Sequence, residues 1–348
     1  MFGQDADSLA KKRVQFERLV SKYMAANRIP GLSVAIVQDG QLQWAAGFGM
    51  ADLENFVPAT SRTLFRLASV SKPLTAVAAM QLWERGKLDF DAPVQKYCPQ
   101  FPQKAWPITT RELLGHLGGI RSYHDGYDSN DPEMTDVSHH FADPIQDGLK
   151  LFANDPLVAQ PGTTFNYSTY GYTLVGCVIE GASGEKYSDY VRDSVLVGAG
   201  MTSTQVDDRY AVILNRTRFY HKDDSGHVVN ADYQDSSYKI PGGGWLSSAE
   251  DMGRFEIAMM NDKLLSRKTR DLMWNPQKTS SGSTTGYGLG WFINSEGHAN
   301  HEGAQQGAAT FILIAPERQV GVVVLINMDG LDPNEFAGEL LKTALSNP

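Results

Sequence analysis

The chain is poor in cysteine, has no long apolar run and carries no block of lysine or arginine. Each absence excludes something. The two cysteines, Cys98 and Cys177, are too few for a disulfide-built scaffold. Cys177 lies in the apolar run YTLVGCVIEG and reads as a small buried hydrophobe, with a single bridge left open. No segment approaches the ~20 apolar residues that span a bilayer, so no transmembrane helix is expected. The formal charge of −9 argues against nucleic acid as a partner, because phosphate binding rests on Lys and Arg. No Gly-x-Ser-x-Gly occurs in a strand-to-helix setting, which disfavours a nucleophile-elbow hydrolase. The echo Gly282–Gly286 sits in a Ser/Gly/Thr-rich loop. His124, Asp125, His139 and His140 lack a familiar ligand spacing, so no metal or cofactor is expected. The start MFGQDADSLA has no basic and apolar leader. It is compatible with a removed signal, which leaves a periplasmic or secreted location open.

What is present is enough for a large core: 348 residues, 42% of them hydrophobic. Residues 8–28 have helical periodicity, with Val14, Phe16, Leu19, Val20, Tyr23 and Met24 as buried candidates. GLSVAIVQDGQLQWAAGFG is a hairpin around Asp39-Gly40, both wanting positive φ. YGLGWFIN, ATFILIAP and VGVVVLINM read as strands, the last two joined around Pro316-Glu317-Arg318, and a helix from about Asn334 to Leu345 ends the chain. Between these β-rich ends the chain is mainly helical. Thr109–Glu112 and Ser247–Glu250 look like capping boxes, YSTYGYTLVGCVIEGASG and KYSDYVRDSVL look like helices, and residues 121–144 read as a long polar loop. The expected class is α+β: an antiparallel sheet built from both termini and flanked by terminal helices, with a helical region inserted. The expected division is 1–66 with 240–348 for the sheet region and 67–239 for the helical region, with the active site in the cleft between them.

Ser-x-x-Lys occurs at Ser8/Lys11, Ser69/Lys72, Ser183/Lys186 and Ser236/Lys239. Three of these pairs fall in exposed turns or polar loops and are read as accidents. Ser69 and Lys72 precede Pro73 and the apolar run LTAVAAMQLW. Pro73 is tolerated in a first turn, so Ser69 is placed at the N-terminus of a buried helix with Lys72 on nearly the same face. There the helix terminus favours developing negative charge on Oγ, and apolar surroundings favour a neutral lysine that can act as a base. Tyr167-Ser168-Thr169 follows a Pro161-Gly162 turn and opens a helix, so a phenol can project from a loop end. Its phenolate is favoured beside an ammonium, which couples Tyr167 to Lys72. NHEGAQQG brings His301, Glu302 and Gly303 just before a strand. Gly303 permits close approach of the chain to a ligand, and the N–H of Ala304 can pair with that of Ser69 as an oxyanion hole. Asn166 and Asn215 begin N-x-S/T sequons that are read as chance.

In order along the chain, SVSK at 69–72, YST at 167–169 and HEG at 301–303 resemble the penicillin-recognising serine hydrolases of the class C β-lactamase group. LLGHLGGI, QPGTTFNYS, GGGWLSSAEDMGRF and YGLGW strengthen the resemblance. It implies a β-lactamase/DD-peptidase-like fold and a serine hydrolase acting through an acyl-enzyme. Ser69 would be the nucleophile, Lys72 and Tyr167 would carry the proton, and His301 would polarise Tyr167 or assist the leaving group. Thr169 stands where the family usually has Asn, and His301-Glu302 where it has Lys-Thr. Thr169, Glu302 and Gly303 are therefore the substrate-binding candidates. A Glu302 pointing into the cleft opposes a substrate carboxylate and suits a neutral ester or amide, or a free amine. The expected partner is a small ester, amide or short peptide, and a homo-oligomer is left open. The alternatives are a true β-lactamase or D-Ala-D-Ala carboxypeptidase, and a non-catalytic binding or self-assembling protein on the same fold.

Overall fold

The computed structural model describes residues 2–123, 143–232 and 234–346. Helix α1 (Phe2–Asn27) leads into β1 (Gly31–Gln38) and β2 (Gln41–Asp52), joined through Asp39 and Gly40 at φ of 53° and 70°. These are the left-handed angles that a two-residue hairpin requires. Strand β3 (Val57–Pro58) pairs with β2, and β4 (Phe65–Arg66) enters the helical part through α2 (Ser71–Glu84). Next come α3 (Thr110–Leu114) and α4 (Thr169–Ser183), the short strands β5 (Gln205–Val206), β6 (Tyr220–Lys222), β7 (Val228–Asn230) and β8 (Trp245–Ser247), and α5 (Ala249–Met260). The chain returns through β9 (Phe292–Ile293), β10 (Ala299–Gln305), β11 (Ala308–Ala315) and β12 (Val320–Ile326) to α6 (Asn334–Leu345). The seven-stranded sheet has the order β3-β2-β1-β12-β11-β10-β9 with neighbouring strands antiparallel, so strands from both ends of the chain complete one sheet.

The long apolar runs of β11 and β12 follow from burial on both faces. Ile312, Ile314, Val323 and Leu325 face the core shared with α2, α4 and α5. Phe311, Leu313, Val322 and Val324 face the core beneath α1 and α6. Their wetter neighbour β10 keeps an alternating pattern, with His301, Gly303 and Gln305 buried and Glu302 and Ala304 exposed. In α1, Phe16 and Val20 are buried, whereas Val14 is 56% exposed, contrary to its expected place in the core. The Thr109–Glu112 capping box is present. The second box is displaced by one residue: Ser248 caps α5 by accepting from the N–H of Asp251. Of YGLGWFIN only Phe292 and Ile293 form a strand, since Gly290 turns the chain at φ 89°.

Cys98 and Cys177 form a disulfide, so Cys177 is not a lone buried hydrophobe. The bridge ties the segment before α3 to the middle of α4 across 79 residues. Closing a loop of that length restricts the unfolded chain by about 4 kcal/mol in the entropy model.

Glu256 on α5 is fully buried against the sheet, with no ion pair among the described residues. Gly321 opposite makes the room, since a β-carbon there would overlap the carboxylate. Burial drives the Glu256 pKa well above the usual carboxylate range. The folded state therefore holds a proton that the unfolded state releases near pH ~4.3. Stability is fully present below that pH and declines as pH rises toward the folded pKa. Glu256→Gln is expected to flatten this decline, so its Tm advantage over wild type should widen between pH 5 and 8 in thermal melts. A constant difference would refute the assignment.

Candidate active site

The Ser69 turn is clamped from three sides. Leu67 N–H donates to the Trp245 carbonyl at 2.8 Å, and the Thr310 hydroxyl on β11 donates to the Leu67 carbonyl at 2.8 Å. On the third side, a β-carbon on Gly303 would overlap the Leu67 carbonyl and the Thr310 hydroxyl and would lie 3.1 Å from Ser69 N. Gly303 is what lets β10 lie against the turn. Ala68 is held at φ 47°, in the left-handed region, where a non-glycine residue is strained. A one-turn 3₁₀ segment, Ala68–Val70, then runs into α2, putting Ser69 at the entrance of a helix whose first three turns are wholly buried.

Lys72 is fully buried, with Nζ 2.8 Å from Ser69 Oγ, 3.3 Å from Thr169 Oγ1 and 2.9 Å from the Gly242 carbonyl. None of these acceptors is charged. Burial first, and the Lys239 ammonium second, hold the Lys72 pKa well below the ordinary lysine range. A neutral Lys72 can take the Ser69 proton through its lone pair. Nζ also lies 4.7 Å from the centre of the Tyr167 ring.

Tyr167 immediately precedes the Ser168 cap of α4, where Ser168 Oγ accepts from Gly171 N–H. The phrase LLGHLGGI supports it. His116 accepts the Ser168 N–H through Nδ1 at 3.1 Å, and its carbonyl accepts the Asn166 N–H at 2.8 Å. The Asn166 amide donates to the Ile120 carbonyl, and the Ser168 hydroxyl donates to the Arg121 carbonyl. The His116 ring packs 4.2 Å from that of Tyr167. Burial, with Lys72 next and His301 after it, keeps His116 neutral.

His301 is also fully buried. Its Nδ1 lies 2.6 Å from the Glu302 carbonyl, which can only accept, so Nδ1 carries the proton and Nε2 accepts from the Tyr287 hydroxyl at 2.9 Å. Burial and then Lys72 push the His301 pKa down to about 3. His301 Nε2 thus bonds Tyr287, and the His301 and Tyr167 rings are 6.3 Å apart.

Ser69, Tyr167, Thr169, Glu302 and Ala304 line one cavity of about 400 Å³, with Ser122, Tyr123, Phe165 and Phe292 completing its wall. Glu302 therefore borders the cavity that holds the serine, while its pairing with Phe311 sets it on the opposite face of β10 from Gly303. Burial, with Asp332 adding, raises its pKa. Glu302 and Phe292 also border a second cavity of about 730 Å³, which runs past Asn300 to α6. Strand β9 covers β10 only at Ala299 and Asn300, so among the described residues no strand pairs with the edge of β10 from His301 onward on that side.

Three further groups were not legible as site residues. His116 and Tyr287 carried no spacing signal. Lys239, read as part of an accidental pair in a loop, is buried beside the site. Ser183/Lys186 is a surface pair, Lys186 bonding Asp143. The imagined metal cluster at His124, Asp125, His139 and His140 lies outside the described residues. Among those described, no group of three or more His, Cys, Asp or Glu is placed to hold a metal, and no helix is long and apolar enough to cross a membrane.

Comparison with known proteins follows the same geometry. Residues 16–345 match the family model described as Beta-lactamase. The chain belongs to the Beta-lactamase family. Within it, the chain is 32% identical to the human serine beta-lactamase-like protein LACTB, mitochondrial, over 91% of this chain and 76% of that protein. It is 27% identical to Penicillin-binding protein 4* of Bacillus subtilis, over 90% of this chain and 71% of that one. The solved octameric penicillin-binding protein homologue from Pyrococcus abyssi superposes at a TM-score of 0.81 with 28% identity, covering 95% and 77% of the two chains. The fold is the β-lactamase/DD-peptidase fold, and the protein is a serine hydrolase of the β-lactamase and penicillin-binding-protein group.

Gly303→Ala is expected to cost about 1–3 kcal/mol by overpacking and to lower Ser69 reactivity beyond what that loss explains. Thermal melts alongside fluorophosphonate labelling separate the two effects. Wild-type stability and labelling would show that the close approach is dispensable.

Proposed function

We propose that the protein hydrolyses a neutral ester or amide, or a short peptide or amide presenting a free amine, through an acyl-enzyme on Ser69. The reaction takes place in the cleft between the sheet and the inserted helical region. The observation that carries this substrate class is the place of Glu302 in the wall of the Ser69 cavity. A carboxylate there repels a substrate carboxylate and attracts an ammonium.

In acylation, Ser69 Oγ bonds to the carbonyl carbon while its proton passes to Lys72. The backbone N–H groups of Ser69 and Ala304 hold the oxyanion, an interaction worth about 2.7–4 kcal/mol per donor in other hydrolases. The C–O or C–N bond breaks, and the proton moves through the Lys72–Tyr167 pair to the leaving alcohol or amine. Water then bonds to the acyl carbon, gives its proton to the same pair, and the Ser69 ester bond breaks with the proton restored to Oγ. Thr169 lines the cavity in which the acyl group rests, and Gly303 keeps β10 against the Ser69 turn. His301 acts from behind the cavity, holding Tyr287 and the aromatic packing around Tyr167. The octameric state of the Pyrococcus abyssi relative supports a homo-oligomer here as well.

The test is a parallel assay of wild type, Ser69→Ala, Lys72→Met and Glu302→Gln. The substrates are a short-chain nitrophenyl ester, D-alanine p-nitroanilide and nitrocefin, with mass spectrometry for a Ser69 adduct. Ser69→Ala should fall to background, and Lys72→Met should lose about 10²–10⁴-fold. Glu302→Gln should lose about tenfold or more in kcat/KM for the amine-bearing anilide, the equivalent of one charge-assisted hydrogen bond, and little for the ester. Fast nitrocefin turnover would overturn the substrate class while leaving the mechanism. No turnover and no adduct would move the weight to a binding or self-assembling role.

A further inference from the structure

Lys239 is 2% exposed, yet among the described residues its ammonium has no hydrogen bond and no ion pair, only the Tyr123 and Tyr238 rings at 5.7 and 5.6 Å. A lysine so buried without an acceptor carries a desolvation penalty, and its location suggests what that penalty serves. Lys239 opens the short helix Ile240–Gly243, which hangs on α2 by two donors. Thr75 donates to the Pro241 carbonyl at 2.6 Å, and Lys72 Nζ lies 2.9 Å from the Gly242 carbonyl. The position a Gly243 β-carbon would take lies 3.7 Å from Lys239 Cδ and 3.7 Å from the carbonyl carbon of Ala68. The stem of Lys239 and the backbone of Ala68 thus both border Gly243, and the two lysines flank one glycine turn.

We propose that Lys239 is a positioning residue for acylation: a second buried cation that keeps Lys72 free of its proton and so able to accept the proton of Ser69. This rests on the reading of Lys72 as the base.

The charges around the pair favour the same outcome. Facing Lys239 are Lys72 and Arg66, the latter bound to the buried Asp207 at 2.7 Å. Burial, with Arg66 adding and Asp207 opposing, brings Lys239 down to about 7. Facing Lys72 are Ser69, Thr169, the rings of Tyr167 and Tyr172, and the imidazoles of His116 and His301, both neutral. No carboxylate bonds either ammonium among the described residues, so only neutral acceptors offset the repulsion when Lys72 gains a proton while Lys239 carries one. Below neutral pH Lys239 is charged, which is where a base must resist protonation. A cationic neighbour is one of the recognised ways to depress a catalytic lysine.

The test is the pH dependence of Ser69 labelling by a fluorophosphonate, and of kcat/KM for a nitrophenyl ester, in wild type, Lys239→Met and Lys239→Arg. Lys239→Met should move the acidic limb toward higher pH by about one unit, lowering the rate about tenfold below the limb and restoring it above. Lys239→Arg, charged at every pH, should leave the limb where it is or move it lower. It decides the matter by itself if Lys239→Met does not fold. A limb unchanged in folded Lys239→Met, or displaced upward in Lys239→Arg, would overturn the proposal while Ser69 labelling still upholds the base reading. Absence of labelling in wild type would remove both.

Discussion

Everything at this site depends on burying an amine with no counter-charge. Lys72 Nζ is held by a hydroxyl on either side and a peptide carbonyl beneath it. An ammonium in that position would need a carboxylate, because desolvating a charge without a partner is far more costly than desolvating a neutral polar group. Among the described residues none bonds it, which favours the neutral form beside a serine that has a proton to lose. Reactivity here is a consequence of what the core withholds.

The rest of the architecture serves that condition. Buried on every side over its first three turns, α2 gives Lys72 its dry surroundings. Strands from both chain ends close into one sheet, and its β10–β11 hairpin presses on the Ser69 turn through Gly303 and Thr310. The strain at Ala68 persists because that clamp over-determines the backbone. The His116 segment holds Tyr167 at the start of α4, and the Cys98–Cys177 bridge fastens the same helix further along. Two neutral histidines and a ring of aromatics fill the space behind, so the site meets water mainly through its cavity.

Much of this was legible. Ser69 and Lys72 stood out because Pro73 and an apolar run follow them, and those features are local. Tyr167 was visible for the same reason, as the last residue before a helix start. Gly303 was picked out as a point of close approach to a ligand, and the neighbour the structure sets against it is the Ser69 turn. Other features depend on partners distant in the chain. Cys98 and Cys177 meet only because α4 packs beside the segment before α3. Val14 follows the helical period of α1 but faces outward, since the face that docks on the sheet is centred on Phe16 and Val20. His301 suggested a group pointing at Tyr167, but the register of β10 turns it inward to Tyr287.

By itself the sequence determined the elements and the chemistry they carry. Turn residues, caps and apolar periods act over a few positions, and three ordered motifs specify a serine hydrolase family. Only the tertiary structure decided which charges share a cavity. Alternate residues of a strand point to opposite sides, so Gly303 meets the Ser69 turn while Glu302, paired with Phe311, lies on the other face and borders the serine cavity from the edge of β10. Lys239 passed as one member of a chance Ser-Lys pair until packing buried it at the start of the Ile240–Gly243 turn beside Lys72. Burial and field depend on everything within a few ångströms, and a chain brings those neighbours together only when it folds.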